Sequence, residues 1–172
     1  MAFGSWTLSN AFDAQSRLVG NVFTGGGKAE TSSGRYNVLL LGGDAGSDRE
    51  GLRPDTMIVA SIDASSGRTV LFSLPRNMQW APFPDSSPLK RLYPNGYWCK
   101  DQSCLLNAVY TLGMSHKNLY PGVKNPGVEA TKEIIGNILG LDINYYALVD
   151  LKGFQALIDA VRRVKLMARE ST

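Results

Sequence analysis

The sequence predicts an α/β protein, a three-layer α/β/α sandwich around a central mixed sheet. Three observations lead to this class. A strand-like segment, residues 36–41, precedes two mostly apolar segments, 56–62 and 70–74, that read as a hairpin around Ala64-Ser65-Ser66-Gly67. These hairpin segments carry apolar residues on both faces, as strands covered on both sides do. After the hairpin, helical and strand-like patterns alternate to the end of the chain, which calls for helices layered on a sheet.

Taken in order, residues 5–22 place Trp6, Leu8, Phe12, Leu18 and Val22 at loosely helical spacing. Residues 24–34 are rich in Gly and Ser and read as a linker. The division expected is therefore an N-terminal helix and linker over 1–35 and one folded domain over 36–172. Gly42-Gly43 lets the backbone turn tightly into a polar loop, 44–52, that carries Asp44, Asp48 and Arg49. A turn centred between Ser65 and Ser66 sets Asp63 opposite Arg68 and Asp55 opposite Arg76. Residues 77–100 hold Pro82, Pro84, Pro88 and Pro94 among Trp80, Phe83, Tyr93, Tyr97 and Trp98, a long irregular loop of the functional or mobile kind.

Leu105, Ala108, Val109 and Leu112 then predict a helix over 102–116. Asn125-Pro126 opens another, with Asn as cap, Pro in the first turn and Gly140 as the stop; Val128, Ile134, Ile135 and Ile138 face its core side. A strand over 143–149, a helix over 151–161 capped by Asp150, and a last strand over 164–168 complete the domain.

The chain has 172 residues, 44% hydrophobic, enough for one good core. Its net charge of +3 is mildly basic, but no Lys/Arg run or recognition motif supports nucleic-acid binding. No apolar run is long enough to span a membrane. Cys99 and Cys104 are the only cysteines and His116 the only histidine, so a cysteine–histidine metal site is excluded; a disulfide and two free thiols both remain open.

Arg53, Asp55 and Arg76, with Asp44, gather two carboxylates and two guanidiniums at one end of the predicted sheet. Arginine forks suit phosphate oxygens, and paired carboxylates suit a hard divalent cation. Such pairs at strand ends are also common as structural ion pairs. Their convergence where open sheets bind ligands points to phosphoryl chemistry on a pyrophosphate bridged by magnesium.

Several ordered motifs carry a family resemblance. Asn37-Val38-Leu39-Leu40-Leu41-Gly42-Gly43-Asp44, Arg53-Pro54-Asp55-Thr56-Met57 and Ser73-Leu74-Pro75-Arg76 resemble the LytR-CpsA-Psr family of cell-wall glycopolymer transferases. Ala81-Pro82-Phe83-Pro84, Leu92-Tyr93-Pro94-Asn95-Gly96, Cys104-Leu105-Leu106-Asn107-Ala108 and Asn125-Pro126-Gly127 resemble its mycolate-bearing actinobacterial branch. The resemblance implies transfer of a glycopolymer, such as arabinogalactan, from a polyprenyl-diphosphate carrier to peptidoglycan with Mg2+.

It assigns Asp44 and Asp55 to the metal and Arg53 and Arg76 to the diphosphate. Arg49 matches a further family arginine in a loop of variable length. Asn77 stands where many relatives have aspartate, and an amide cannot act as a base. The resemblance also implies an extracytoplasmic domain anchored by one membrane helix ahead of it, which favours the Cys99–Cys104 disulfide. Arg162-Arg163 replaces a family Gly-Gly, and the family's later arginine-rich segment is missing, so the expectation is an incomplete domain. Two alternatives stand beside the transferase: a non-catalytic module binding polyprenyl phosphate or wall polymer, and a polyprenyl-diphosphate pyrophosphatase.

Overall fold

The computed structural model describes residues 32–43 and 53–149. Strands β1 (Arg35–Gly42), β2 (Thr56–Asp63), β3 (Thr69–Leu74) and β4 (Tyr145–Val149) form one sheet in the order β3-β2-β1-β4. β1 pairs antiparallel with β2 and parallel with β4, and β2 pairs antiparallel with β3, so the sheet is mixed. Helices α1 (Val109–Ser115) and α2 (Pro126–Leu139) separate β3 from β4. The architecture is α/β, as the alternation of patterns predicts. The expected segments at 5–22, 24–31, 151–161 and 164–168 lie outside the described residues.

One face of the sheet makes the core. Leu39, Leu41, Met57, Val59 and Leu74 are buried and join Val109, Val128, Ile134 and Ile135 of the helices in one cluster. On the other face Val38, Leu40 and Ile58 are half-buried, and Leu71 is exposed. Apolar residues on both faces are the mark of a sheet built for two covering layers. No helix among the described residues is long and apolar enough to cross a membrane.

A polar network fixes β4 to β1. Asn37 is buried; its Oδ1 accepts from the Ser61 hydroxyl (2.6 Å), and its Nδ2 donates to the Asp142 carbonyl (2.8 Å). Asn37 N–H donates to Asn144 Oδ1, and Asn144 N–H donates back to the Asn37 carbonyl. These bonds satisfy groups that would be costly to bury alone. They also explain why the ladder begins at Tyr145 rather than at residue 143. Arg35 likewise belongs to β1 rather than to a linker, donating to both the Ser61 hydroxyl and the Ser61 carbonyl.

α2 follows its sequence signals. Asn125 Oδ1 accepts from Val128 N–H, Pro126 takes the first turn, and Gly140 ends the helix at φ 65°. α1 is shorter than the expected 102–116. Asp101 accepts from Ser103 N–H and Oγ in a local turn, and Gln102 has φ 59°. The N–H groups of Leu106 and Asn107 donate to the carbonyls of Met78 and Arg76. What remains is a 3₁₀ turn, Leu106–Ala108, leading into α1.

Glu133 ties the proline-rich loop to α2, accepting from Ser87 Oγ (2.6 Å) and Tyr120 Oη (2.9 Å). Burial pushes its carboxyl above the ordinary value despite both donors. An acid raised in this way favours the native state while protonated, an advantage present below its unfolded value near 4.5 and lost as pH rises through the native one. Glu133→Gln, which keeps an acceptor oxygen, is expected to remove this loss; unfolding free energies measured by denaturant between acidic and neutral pH check it.

The two helices meet at glycines. A Cβ on Gly113 would lie 2.4 Å from the Pro126 carbonyl oxygen, and one on Gly127 2.6 Å from that of Tyr110. Backbone stands in both places and cannot swing away. Gly113→Ala is therefore expected to destabilise the fold by about 1–3 kcal/mol, an overpacking cost read from denaturant midpoints.

Candidate functional site

The hairpin turn sets the geometry. Asp63 Oδ1 accepts from Ser65 N–H, Ser65 Oγ, Ser66 N–H and Ser66 Oγ. These donors, the Ser65 hydroxyl foremost, hold the Asp63 carboxyl well below the usual carboxylate range. Gly67 closes the turn at φ 69° with its N–H on the Asp63 carbonyl, and Asp63 N–H donates to the Arg68 carbonyl. From there the register runs Ile62↔Thr69 through Met57↔Leu74. Continued two positions, it sets Asp55 opposite Arg76.

Those two side chains meet beyond the strand ends, Arg76 Nη1 donating to Asp55 Oδ1 at 2.5 Å. Their side chains are 58% and 53% exposed, which decides how the pair is read. An ion pair so open to water adds little to stability. The pair sits at the end of the sheet where the parallel strands β1 and β4 finish, at Gly42 and Val149. Ligands of open α/β sheets bind beyond the carboxyl ends of parallel strands.

Both residues have fixed backbones. Asp55 N–H donates to the Gly42 carbonyl at 2.8 Å, at the end of β1. The Arg76 carbonyl accepts from Asn107 N–H at 3.0 Å, and Pro75 accepts from Met78 N–H, which leaves the guanidinium pointing outward. Arg53 is exposed, and Pro54 between it and Asp55 is buried. Burial and neighbouring Tyr93 push the Tyr97 phenol up to about 12, while Arg53 acts the other way. Arg53, Asp55 and Arg76 thus lie at one end of the sheet. Asp44 and Arg49 lie outside the described residues.

Other sequence candidates sort differently. Asn77 is exposed beside Arg76. His116 Nδ1 sits 3.0 Å from the Leu112 carbonyl at the end of α1, a terminating contact. Cys99 and Cys104 form a disulfide with 5.3 Å between Cα atoms, closing the aromatic loop onto the segment before α1. A concavity of about 430 Å³, lined by Glu129, Lys132, Glu133 and Asp142 among others, lies toward the start of β1, the opposite end of the sheet from Arg76.

The sequence reading assigned no role to Asn107. It is buried, its N–H holds the Arg76 carbonyl, and its Oδ1 has no hydrogen-bond partner among the described residues. The signal was a single amide inside the apolar run Leu105-Leu106-Asn107-Ala108-Val109.

No cluster of three or more metal-ligating side chains occurs among the described residues. Asp55 alone offers one exposed carboxylate, a hard oxygen donor of the kind that Mg2+ takes together with phosphate oxygens and water.

The pattern of the LytR-CpsA-Psr family matches residues 9–172. The chain is 26% identical over 133 residues to the polyisoprenyl-teichoic acid–peptidoglycan teichoic acid transferase TagU of Enterococcus faecalis, covering 76% of this chain and 35% of that one. The chain thus spans about a third of the length of this relative. Its fold is similar to TagT bound to LIIa-WTA (TM-score 0.51, 17% identity) and covers 83% of this chain and 45% of that one. The same shares hold for the LytR-CPS2A-psr family protein YwtF (TagT) with bound octaprenyl pyrophosphate lipid, at TM-score 0.50 and 16% identity.

An exposed pair is dispensable for folding. Arg76→Ala and Asp55→Ala are each expected to change the unfolding free energy by less than about 1 kcal/mol. Losses of several kcal/mol in denaturant titrations would make the pair a structural tie instead.

Proposed function

The chain belongs to the LytR-CpsA-Psr family, and we propose that its Arg53–Asp55–Arg76 end binds the diphosphate of a polyprenyl-linked glycopolymer for transfer to peptidoglycan. The observation that carries this reading is the exposed Asp55–Arg76 pair beyond the ends of β1 and β4. Two arginines and a carboxylate held there have little to do for the core and the right chemistry for phosphate oxygens.

In this reading a hydroxyl of the peptidoglycan acceptor forms a new phosphorus–oxygen bond to the polymer phosphate as the bond to the carrier breaks, releasing polyprenyl monophosphate and the hydroxyl proton. The guanidiniums of Arg53 and Arg76 grip the diphosphate oxygens and offset the charge that builds. Asp55 holds Arg76 through one nitrogen, which leaves the remaining N–H groups of the fork for phosphate. Asp55, with Asp44, would hold Mg2+, whose charge neutralises diphosphate oxygens. Asn77 takes no part in proton transfer. The resemblance of the 77–100 loop to the actinobacterial branch supports arabinogalactan as the polymer, and the family resemblance supports a domain on the outer side of a cell membrane.

Binding of geranylgeranyl pyrophosphate, measured by calorimetry with and without Mg2+, tests the proposal. Arg76→Ala is expected to weaken binding by roughly tenfold or more, the loss of one charge-assisted hydrogen-bonding group, and Arg76→Lys to restore only part of it. Unchanged affinity in Arg76→Ala would remove Arg76 from the site.

A further inference from the structure

Trp80 and Trp98 stack at 5.0 Å between ring centroids with 16° between their planes. The loop has an aromatic core of its own, in which Phe83 and Tyr97 are buried and Tyr93 packs edge-on to Tyr97 at 4.9 Å. The two tryptophans stay outside it, 54% and 42% exposed. A large apolar surface left in water calls for an explanation when it is also held rigid.

It is held rigid. Trp80 has φ 57°, a left-handed conformation that bulky residues rarely adopt. Trp80 N–H donates to the Tyr97 carbonyl at 3.2 Å, and Tyr97 N–H donates to the Ala81 carbonyl at 2.8 Å. Gly96, at φ 107°, allows this approach, since a Cβ there would lie 2.7 Å from the Trp80 carbonyl oxygen. The Cys99–Cys104 disulfide fixes the segment that follows Trp98. Backbone strain that the surroundings enforce tends to mark ligand contacts.

The rings are tied to the diphosphate end through the chain. Trp80 lies four residues after Arg76 in the same loop, with the Arg76 and Met78 carbonyls held by Asn107 and Leu106, and Trp98 stacks on Trp80. Around the rings in sequence, Gln79, Asn95, Lys100 and Asp101 are exposed and polar. We propose that the Trp80–Trp98 stack is a carbohydrate-binding platform, which receives a sugar ring of the polymer beside the diphosphate. A sugar ring has an apolar C–H face suited to an indole and a hydroxyl edge suited to a polar rim. A bilayer surface fits less well. Lys100 and Asp101, exposed within three residues of Trp98, give the rim one charge of each sign rather than the basic patch an anionic membrane calls for.

The platform rests on the diphosphate reading for the identity of its ligand, and the test keeps the two apart. The indole N–H resonances of Trp80 and Trp98 are followed by NMR while the protein is titrated with arabinan and galactan oligosaccharides, with chitotriose, and separately with geranylgeranyl pyrophosphate and phosphatidylglycerol vesicles. Both resonances are expected to shift saturably with at least one oligosaccharide. Trp98→Ala and Trp80→Gly are expected to weaken that binding at least tenfold. Glycine accepts φ 57°, so Trp80→Gly is also expected to melt no lower than the parent, which a merely structural stack would not allow. If Trp80→Gly does not fold, the strain argument and the platform fall together.

Retained oligosaccharide affinity in Trp98→Ala, no shift with any oligosaccharide at millimolar concentration, or shifts with vesicles alone would each overturn the platform. Lipid binding without an oligosaccharide response leaves the diphosphate site standing and removes the platform. An oligosaccharide response without lipid binding does the opposite.

Discussion

The candidate site depends on one turn. The Asp63 carboxylate collects two backbone and two hydroxyl donors from Ser65 and Ser66, and so fixes where β2 turns back into β3. Strand pairing has a period of two residues, so a slip of one would put Leu74 and Phe72 on the wrong face. It would also part Asp55 from Arg76. A polar turn at one end of the hairpin thereby positions charges at the other, and burial of Met57, Val59 and Leu74 locks the choice.

That register could be read from the sequence because its causes are local. Ala64-Ser65-Ser66-Gly67 is a recognisable turn, and counting outward from it pairs Asp55 with Arg76. α2 was legible for the same reason, its cap, first-turn proline and terminal glycine all lying within the segment. α1 was not. Its apolar spacing extends back to Leu105, but the N–H groups of Leu106 and Asn107 bond to Met78 and Arg76, and Asp101 turns the chain locally. Propensity lost to partners distant in sequence. Asn107 and Asn37 escaped notice as structural residues because an amide in an apolar run gives no hint of which backbone groups it will meet.

The proline-rich loop contributes more than a connection. It holds the Arg76 carbonyl against Asn107, docks on α2 through Ser87 and Glu133, and carries the tryptophan stack. The disulfide closes it onto the segment before α1, and on the chain-entropy account a ring this small stabilises the fold by only about 2 kcal/mol. Holding the loop in one shape is the larger consequence, because both arginines and both tryptophans lie on or beside it.

A structure of the protein with a polyprenyl pyrophosphate and Mg2+ is the most direct measurement of the central claim. The account predicts phosphate oxygens within hydrogen-bonding distance of the Arg53 and Arg76 guanidiniums, beyond the ends of β1 and β4. A diphosphate bound elsewhere, with both arginines left in water, would contradict it.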